Sequence, residues 1–142
     1  MTVYADSSFI APVYVLDAHA PEAHRRMGFR PDVWLTPFNR TELAHALYQQ
    51  VFRGRFSASE ARQAWNNFQQ DWRSGVWIPA SLPERLWESS VDLALRFAPT
   101  LGVRTLDSLH VACALELKAE RFWTFDDRQA RLAEAVGLNT NP

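Results

Sequence analysis

Short apolar runs with strand-like composition alternate with helical stretches along this chain, and each of four such runs leads into a carboxylate. Thr2-Val3-Tyr4-Ala5 ends at Asp6, Val33-Trp34-Leu35 is followed by Asn39 and Glu42, Val103-Arg104-Thr105-Leu106 runs into Asp107, and Phe122-Trp123-Thr124-Phe125 ends at Asp126. Alternating strand and helix signals favour parallel strands with helices over the sheet. Ligands of such sheets bind beyond the carboxyl ends of the strands. Parallel pairing of three of these runs would therefore gather acids from distant parts of the chain at one sheet edge.

The pattern predicts a first strand at about 2–6, a short helix through Phe9, Ile10, Val13, Tyr14 and Val15, and a helix from Pro21 to Met27 with Gly28 beyond its end. A strand at about 33–36 follows. Asn39 begins a helix to about Phe52, with Leu43, Ala46, Leu47 and Val51 on one side and Gly54 closing it. Ser57 or Ser59 opens the next helix, where Ala61, Trp65, Phe68 and Trp72 recur at helical spacing. Trp77-Ile78 reads as a short strand. Pro83 sits in the first turn of a helix through Leu86, Val91, Leu95 and Phe97 that stops before Pro99. Thr105 caps a helix over 106–118, a strand spans 122–125, and a helix over 127–136 ends at Gly137.

No low-complexity segment or long linker divides the 142 residues, so a single domain over 1–142 is expected, with 47% hydrophobic residues, six Trp and nine Phe to fill its core. No apolar run approaches the roughly 20 residues needed to span a bilayer, and no secretory leader pattern opens the chain; a cytoplasmic protein is expected. The single Cys113 excludes an internal disulfide and a cysteine-based zinc cage. A net charge of −1 lacks the basic footprint usual in nucleic-acid binders. The basic residues are nonetheless almost all arginine, with Lys118 the sole lysine, and they recur in groups: Arg25-Arg26, Arg30, Arg53 with Arg55, and Arg128 with Arg131. Guanidinium forks suit phosphate oxygens, so a basic rim around an acidic centre is one reading and ordinary solvated helix faces the other.

Each acid has a local explanation, because negative side chains are favoured in the first turn of a helix. Asn39 with Glu42 three residues on is nearly a reciprocal capping pair, Asp107 follows Thr105, and either of Asp126-Asp127 can cap the last helix. Capping does not account for the set. If the side chains converge, two carboxylates ~4 Å apart at an effective dielectric near 20 repel by about 4 kcal/mol, a conflict that a cation removes. Oxygen-only ligation selects hard ions, Mg²⁺ or Mn²⁺, over zinc or copper. Such an ion activates water and steadies phosphoryl oxygens, which points to phosphodiester hydrolysis with no Ser or His nucleophile.

Four stretches carry a resemblance. Tyr4-Ala5-Asp6-Ser7-Ser8-Phe9-Ile10 looks like the opening strand and turn of PIN domains; Thr41-Glu42-Leu43, Leu106-Asp107-Ser108-Leu109-His110-Val111-Ala112 and Trp123-Thr124-Phe125-Asp126 resemble their second, third and fourth acidic elements. The resemblance covers nearly the whole chain, which in size is similar to the VapC-type toxins of bacterial toxin–antitoxin pairs. It implies a three-layer α/β/α fold around a central, mostly parallel sheet of four to five strands. It also implies Mg²⁺- or Mn²⁺-dependent cleavage of RNA, a cognate antitoxin as partner, and a homodimer. Carried over by position, Asp6 and Asp107 become the principal metal ligands, Glu42 and Asp126 complete the cluster, Ser8 orients Asp6, and Thr124 does likewise beside Asp126. Of the adjacent pair, Asp126 faces the metal and Asp127 caps the helix.

Other readings compete. Glu42 with His45 and Asp107 with His110 stand at i and i+3, as in di-iron four-helix bundles, although strand-like runs do not suit a bundle. His45 and His110 are otherwise expected to be packed or hydrogen-bonded near the site, and His19 and His24 exposed. An aspartyl phosphatase needs an acid where Ser8 stands, and a receiver domain needs a late lysine that Lys118 does not supply. A catalytically silent interaction module would use Phe52, Phe56, Trp65, Phe68 and Trp72 as a groove for a partner helix, where the alternative is a helix–helix core.

Overall fold

The computed structural model describes residues 1–142. Strand β1 (Thr2–Ala5) leads into α1 (Ser7–Tyr14) and α2 (Ala20–Met27); β2 (Asp32–Leu35) leads into α3 (Pro37–Phe52) and α4 (Ala58–Ser74). Strand β3 (Trp77–Pro79) precedes α5 (Leu86–Leu101) and α6 (Thr105–Glu116), and β4 (Arg121–Trp123) precedes α7 (Asp127–Ala135). The strands form one sheet in the order β3-β2-β1-β4, parallel throughout. Four strands with no antiparallel member meet the expected architecture.

Side-chain alternation explains the layers. In β1, Val3 and Ala5 face one core and Tyr4 the other, as the twofold period of a strand requires. On the first face Phe9, Ile10, Leu43, Leu47 and Phe68 from α1, α3 and α4 cover Val33, Leu35 and Trp77. On the second, Leu86, Leu93, Val111, Cys113 and Leu132 from α5, α6 and α7 cover Tyr4 and Phe122. Burial on both faces is why the strands read as continuous apolar runs. Each large side chain enclosed here contributes about 1.5–3 kcal/mol, so the strand ends are held firmly.

Several boundaries differ from expectation for physical reasons. The strands close a residue or two early, leaving Asp6 and Asp126 as caps of the helices that follow. Helix α3 starts at Pro37, not Asn39, because Thr36 takes the cap: its hydroxyl accepts from the Asn39 N–H at 3.5 Å while Asn39 Oδ1 accepts from the Thr36 N–H at 2.8 Å. Helix α5 begins at Leu86 rather than around Pro83, and it continues through Pro99 to Leu101. Proline there forfeits one bond, to the Leu95 carbonyl, in an exposed stretch where water can replace it. Arg104, not Thr105, is the residue before α6, and that helix ends at Glu116.

Helix α5 leaves Trp87, Val91 and Leu95 exposed at four-residue spacing. No helix is long and apolar enough to cross a membrane. The all-parallel sheet excludes the four-helix-bundle alternative. In the aromatic stripe, Phe68 is core and Trp65 and Trp72 pack on it, as a helix–helix interior requires; Phe52 is 92% exposed and belongs to neither that core nor a groove.

Candidate active site

Asp6 stands where the buried end of β1 turns into α1. Its Oδ1 accepts from the Phe9 N–H at 3.3 Å, which caps the helix, and from the Ser8 hydroxyl at 2.7 Å. A hydroxyl has one proton, so Ser8, donating to Asp6, accepts from the Phe125 N–H at 2.9 Å and from the Thr124 hydroxyl at 3.1 Å. Thr124 in turn accepts from the Asp126 backbone N–H at 3.0 Å, so it steadies the main chain at Asp126 rather than the carboxylate. This hydroxyl pair joins the ends of β1 and β4. Burial pushes the Asp6 carboxyl up to about 6, with the neighbouring Glu42 adding to the rise and His110 and Ser8 opposing it.

Glu42 does not cap α3, because Thr36 and Asn39 already satisfy each other. Freed from that task one turn into the helix, its Oε1 accepts from the Ser7 N–H at 3.3 Å and lies 2.8 Å from His110 Nε2. His110 is fully buried, and its Nδ1 lies 2.8 Å from the Tyr4 hydroxyl, also buried. Burial raises the Tyr4 hydroxyl well above its ordinary value, so it keeps its proton and donates to Nδ1. That leaves Nε2–H to donate to Glu42, so each polar atom between Tyr4 and Glu42 has a partner. Burial alone would raise the Glu42 carboxyl, but His110 and the Ser7 N–H outweigh it and hold the group below its usual value.

Asp107, 1% exposed, accepts at Oδ2 from the Arg104 N–H at 2.8 Å, closing the first turn of α6. Its Oδ1 is buried without a partner. The Arg104 guanidinium spans the gap to the fourth acid, with Nε 3.4 Å from Asp107 Oδ2 and Nη2 3.5 Å from Asp126 Oδ2. Asp126, not Asp127, caps α7, through Oδ1 and the Gln129 N–H at 3.0 Å. The strand ends at Trp123, which leaves Asp126 at the turn and puts the exposed Asp127 on the first helical residue. Asp126 borders the cavity described next; Asp127 does not.

Asp6, Glu42, Asp107 and Asp126 all line one open cavity of about 940 Å³. Arg53, Arg55 and Arg104 border it as well, whereas Arg25, Arg26, Arg30, Arg128 and Arg131 do not. Carboxylate oxygens are the donors that Mg²⁺ and Mn²⁺ accept, and the partnerless Asp107 Oδ1 leaves lone pairs for an ion or its water. The donor chemistry therefore fits such an ion. As the side chains stand, no three His, Asp or Glu groups are grouped to hold one, and the cation beside Asp107 and Asp126 is Arg104.

His110 lies where expected, buried and hydrogen-bonded beside the acids; His45 does not, being exposed on α3 and outside the cavity. His24 is exposed, as expected, with Nε2 2.9 Å from the Val13 carbonyl. Arg104 was not legible as a site residue, since its only sequence signal is its place three residues before Asp107. His19 is exposed as expected but also lines the cavity with Phe125, which no local pattern announces.

A search of curated protein sequences finds no match. Solved structures are similar in fold. VapC20 of Mycobacterium tuberculosis, described as a sarcin-ricin loop cleaving toxin, superposes with a TM-score of 0.72 at 19% identity over 99% of each chain. PAE2754 of Pyrobaculum aerophilum superposes with a TM-score of 0.61 at 15% identity over 96% of this chain and 86% of its own. The sequence model of the PIN domain matches residues 3–135. With that match spanning nearly the whole chain, and with the parallel sheet and its acidic edge in place, this protein belongs to the PIN-domain family.

Proposed function

We propose that this chain is a Mg²⁺- or Mn²⁺-dependent endoribonuclease, the toxin of a type II toxin–antitoxin pair acting in the cytoplasm. The observation that carries the reading is the meeting of Asp6, Glu42, Asp107 and Asp126 in one cavity, with the Oδ1 of buried Asp107 left open. The likeness to VapC20, itself described as cleaving an RNA loop, supports RNA as the substrate class.

Asp6 and Asp107 would be the principal ligands, with Glu42 and Asp126 completing the set. A bound ion of this kind supplies an activated water and neutralises charge at phosphorus. Ser8 holds Asp6 in one orientation and His110 does the same for Glu42. Arg53 and Arg55 offer guanidinium groups to flanking phosphates. Because the 2′-hydroxyl takes no part, the products carry a 5′-phosphate and a 3′-hydroxyl. The partners in this reading are an antitoxin whose tail fills the acidic cavity and a second copy of the chain; the exposed Trp87, Val91 and Leu95 face is consistent with association.

The test is cleavage of single-stranded RNA with Mn²⁺, with Mg²⁺ and with EDTA, beside an Asp6→Ala variant checked for folding by circular dichroism. Cleavage by a folded Asp6→Ala protein, or a 2′,3′-cyclic phosphate end, would refute the proposal. The contact of Arg104 with Asp107 and Asp126 favours a second reading, a silent PIN module whose acids are neutralised internally. Failure to cleave with either metal, together with capture of a co-expressed neighbour protein, would select it.

A further inference from the structure

The acids occupy part of the cavity wall, and an aromatic pair occupies another. His19, in the residue before α2, lays its ring on Phe125 with centroids 4.3 Å apart and planes 9° apart. The imidazole neither caps α2 nor makes any other hydrogen bond; only the His19 backbone is engaged, its N–H by Asp17 Oδ1 at 2.8 Å and its carbonyl by the Ala23 N–H at 2.9 Å. Stacking alone therefore holds an exposed polar ring flat at the cavity edge.

Its support is rigid. Phe125 packs against Phe9 at 5.5 Å, and the largely buried Arg26 guanidinium lies 5.7 Å from the Phe125 ring and 5.6 Å from that of Trp123. The Phe125 N–H is tied to Ser8, the same hydroxyl that holds Asp6, and Asp126 is the next residue. The ring pair is thus built into the acidic centre's own hydrogen-bond network.

We propose that the outer face of His19, backed by Phe125, is a stacking subsite for one unpaired nucleobase beside the scissile phosphate. The proposal rests on the ribonuclease reading and adds to it where the substrate strand lies. Every base has a π-face, and proteins grip unpaired RNA by stacking such bases on aromatic and histidine rings. An aromatic side chain of a protein partner is the competing occupant, and equal tolerance of abasic sites at every position is the outcome that favours it.

Short single-stranded RNAs carrying 2-aminopurine at successive positions are titrated with the full-length protein in EDTA. Quenching at one position next to the cleavage site is expected. An abasic nucleotide there should weaken binding about 5- to 100-fold. His19→Ala should abolish the quenching, lose the same factor with base-bearing RNA and lose nothing further with abasic RNA; His19→Phe should retain both signals. Equal tolerance of abasic sites at every position by the wild-type protein overturns the subsite whether or not His19→Ala folds, and leaves the nuclease reading standing if cleavage persists. A folded His19→Ala protein that distinguishes abasic from intact RNA as the wild type does also overturns it. Wild-type protein that neither binds nor cleaves RNA defeats both.

Discussion

His110 Nε2 lies 2.8 Å from Glu42 Oε1 although the two residues are 68 positions apart, and His110 Nδ1 is 2.8 Å from the Tyr4 hydroxyl. A strand of the core is thereby coupled through one imidazole to a carboxylate of the cavity. His110→Ala removes the donor to Glu42, strands the buried Tyr4 hydroxyl and opens a cavity. An unsatisfied buried group costs about 1–3 kcal/mol, and the lost packing adds to it. Urea denaturation should show a loss of about 2–4 kcal/mol; no change would mean that the chain of hydrogen bonds is absent.

Asp6 gives a pH dependence of unusual sign for a carboxylate. Its folded value of about 6 exceeds the ordinary 3.8, so the folded state binds the proton more tightly than the unfolded chain. The stability linked to this group is therefore full below about 3.8 and is lost as pH rises through about 6, on the order of 3 kcal/mol in total. Asp6→Asn keeps the capping oxygen and lacks the charge, so it should be more stable than wild type at pH 7.5 and lose that advantage as pH falls toward 4. Paired denaturation curves at the two pH values check this, and a constant difference would contradict it.

Added Mn²⁺ should raise the melting temperature of the wild type in a concentration-dependent way, because a ligand that binds only the folded state stabilises it by mass action. Differential scanning fluorimetry with a Mn²⁺ titration reads this directly. Asp107→Asn should abolish the shift, and persistence of the full shift in that variant would place the ion elsewhere.

Arg104 competes for the same carboxylates. Its side chain is 64% exposed and its contacts are 3.4 and 3.5 Å, so Arg104→Ala should change stability by no more than about 1 kcal/mol. Removing a positive charge from beside Asp107 and Asp126 should tighten Mn²⁺ binding about 3- to 10-fold by calorimetry, a gain of roughly 1 kcal/mol. Weaker binding in the variant would show that the guanidinium supports the ion site instead.

Asn39 links the start of α3 to the end of β1: its Nδ2 donates to the Ala5 carbonyl at 2.8 Å, and its Oδ1 accepts from both the Thr36 N–H and the Thr36 hydroxyl. Asn39→Ala leaves these buried groups unpaired and should cost about 2–4 kcal/mol in chemical denaturation. A loss below about 0.5 kcal/mol would indicate that the helix start is held by packing alone.

Much of this molecule was legible residue by residue. The apolar runs before Asp6 and Asp126 are strands because both sheet faces are buried, which leaves no polar alternation to confuse the reading. The donor chemistry of the site followed from residue type alone. Capping was misread where several oxygen-bearing side chains compete: Thr36 displaced Asn39, and Asp126 displaced Asp127, because a strand ends where its pairing partner ends, not where its composition changes.

The order of strands and helices and the carboxylate donor chemistry of the four acids were therefore determined by the sequence itself, since local periodicity and oxygen chemistry act over a few residues. Which acids share a cavity, that Glu42 leans on His110 while Arg104 spans Asp107 and Asp126, and that His19 lies on Phe125 were decided only by the tertiary structure. Those contacts arise when the two faces of the sheet are buried together, and no local pattern encodes which distant residues that burial brings side by side.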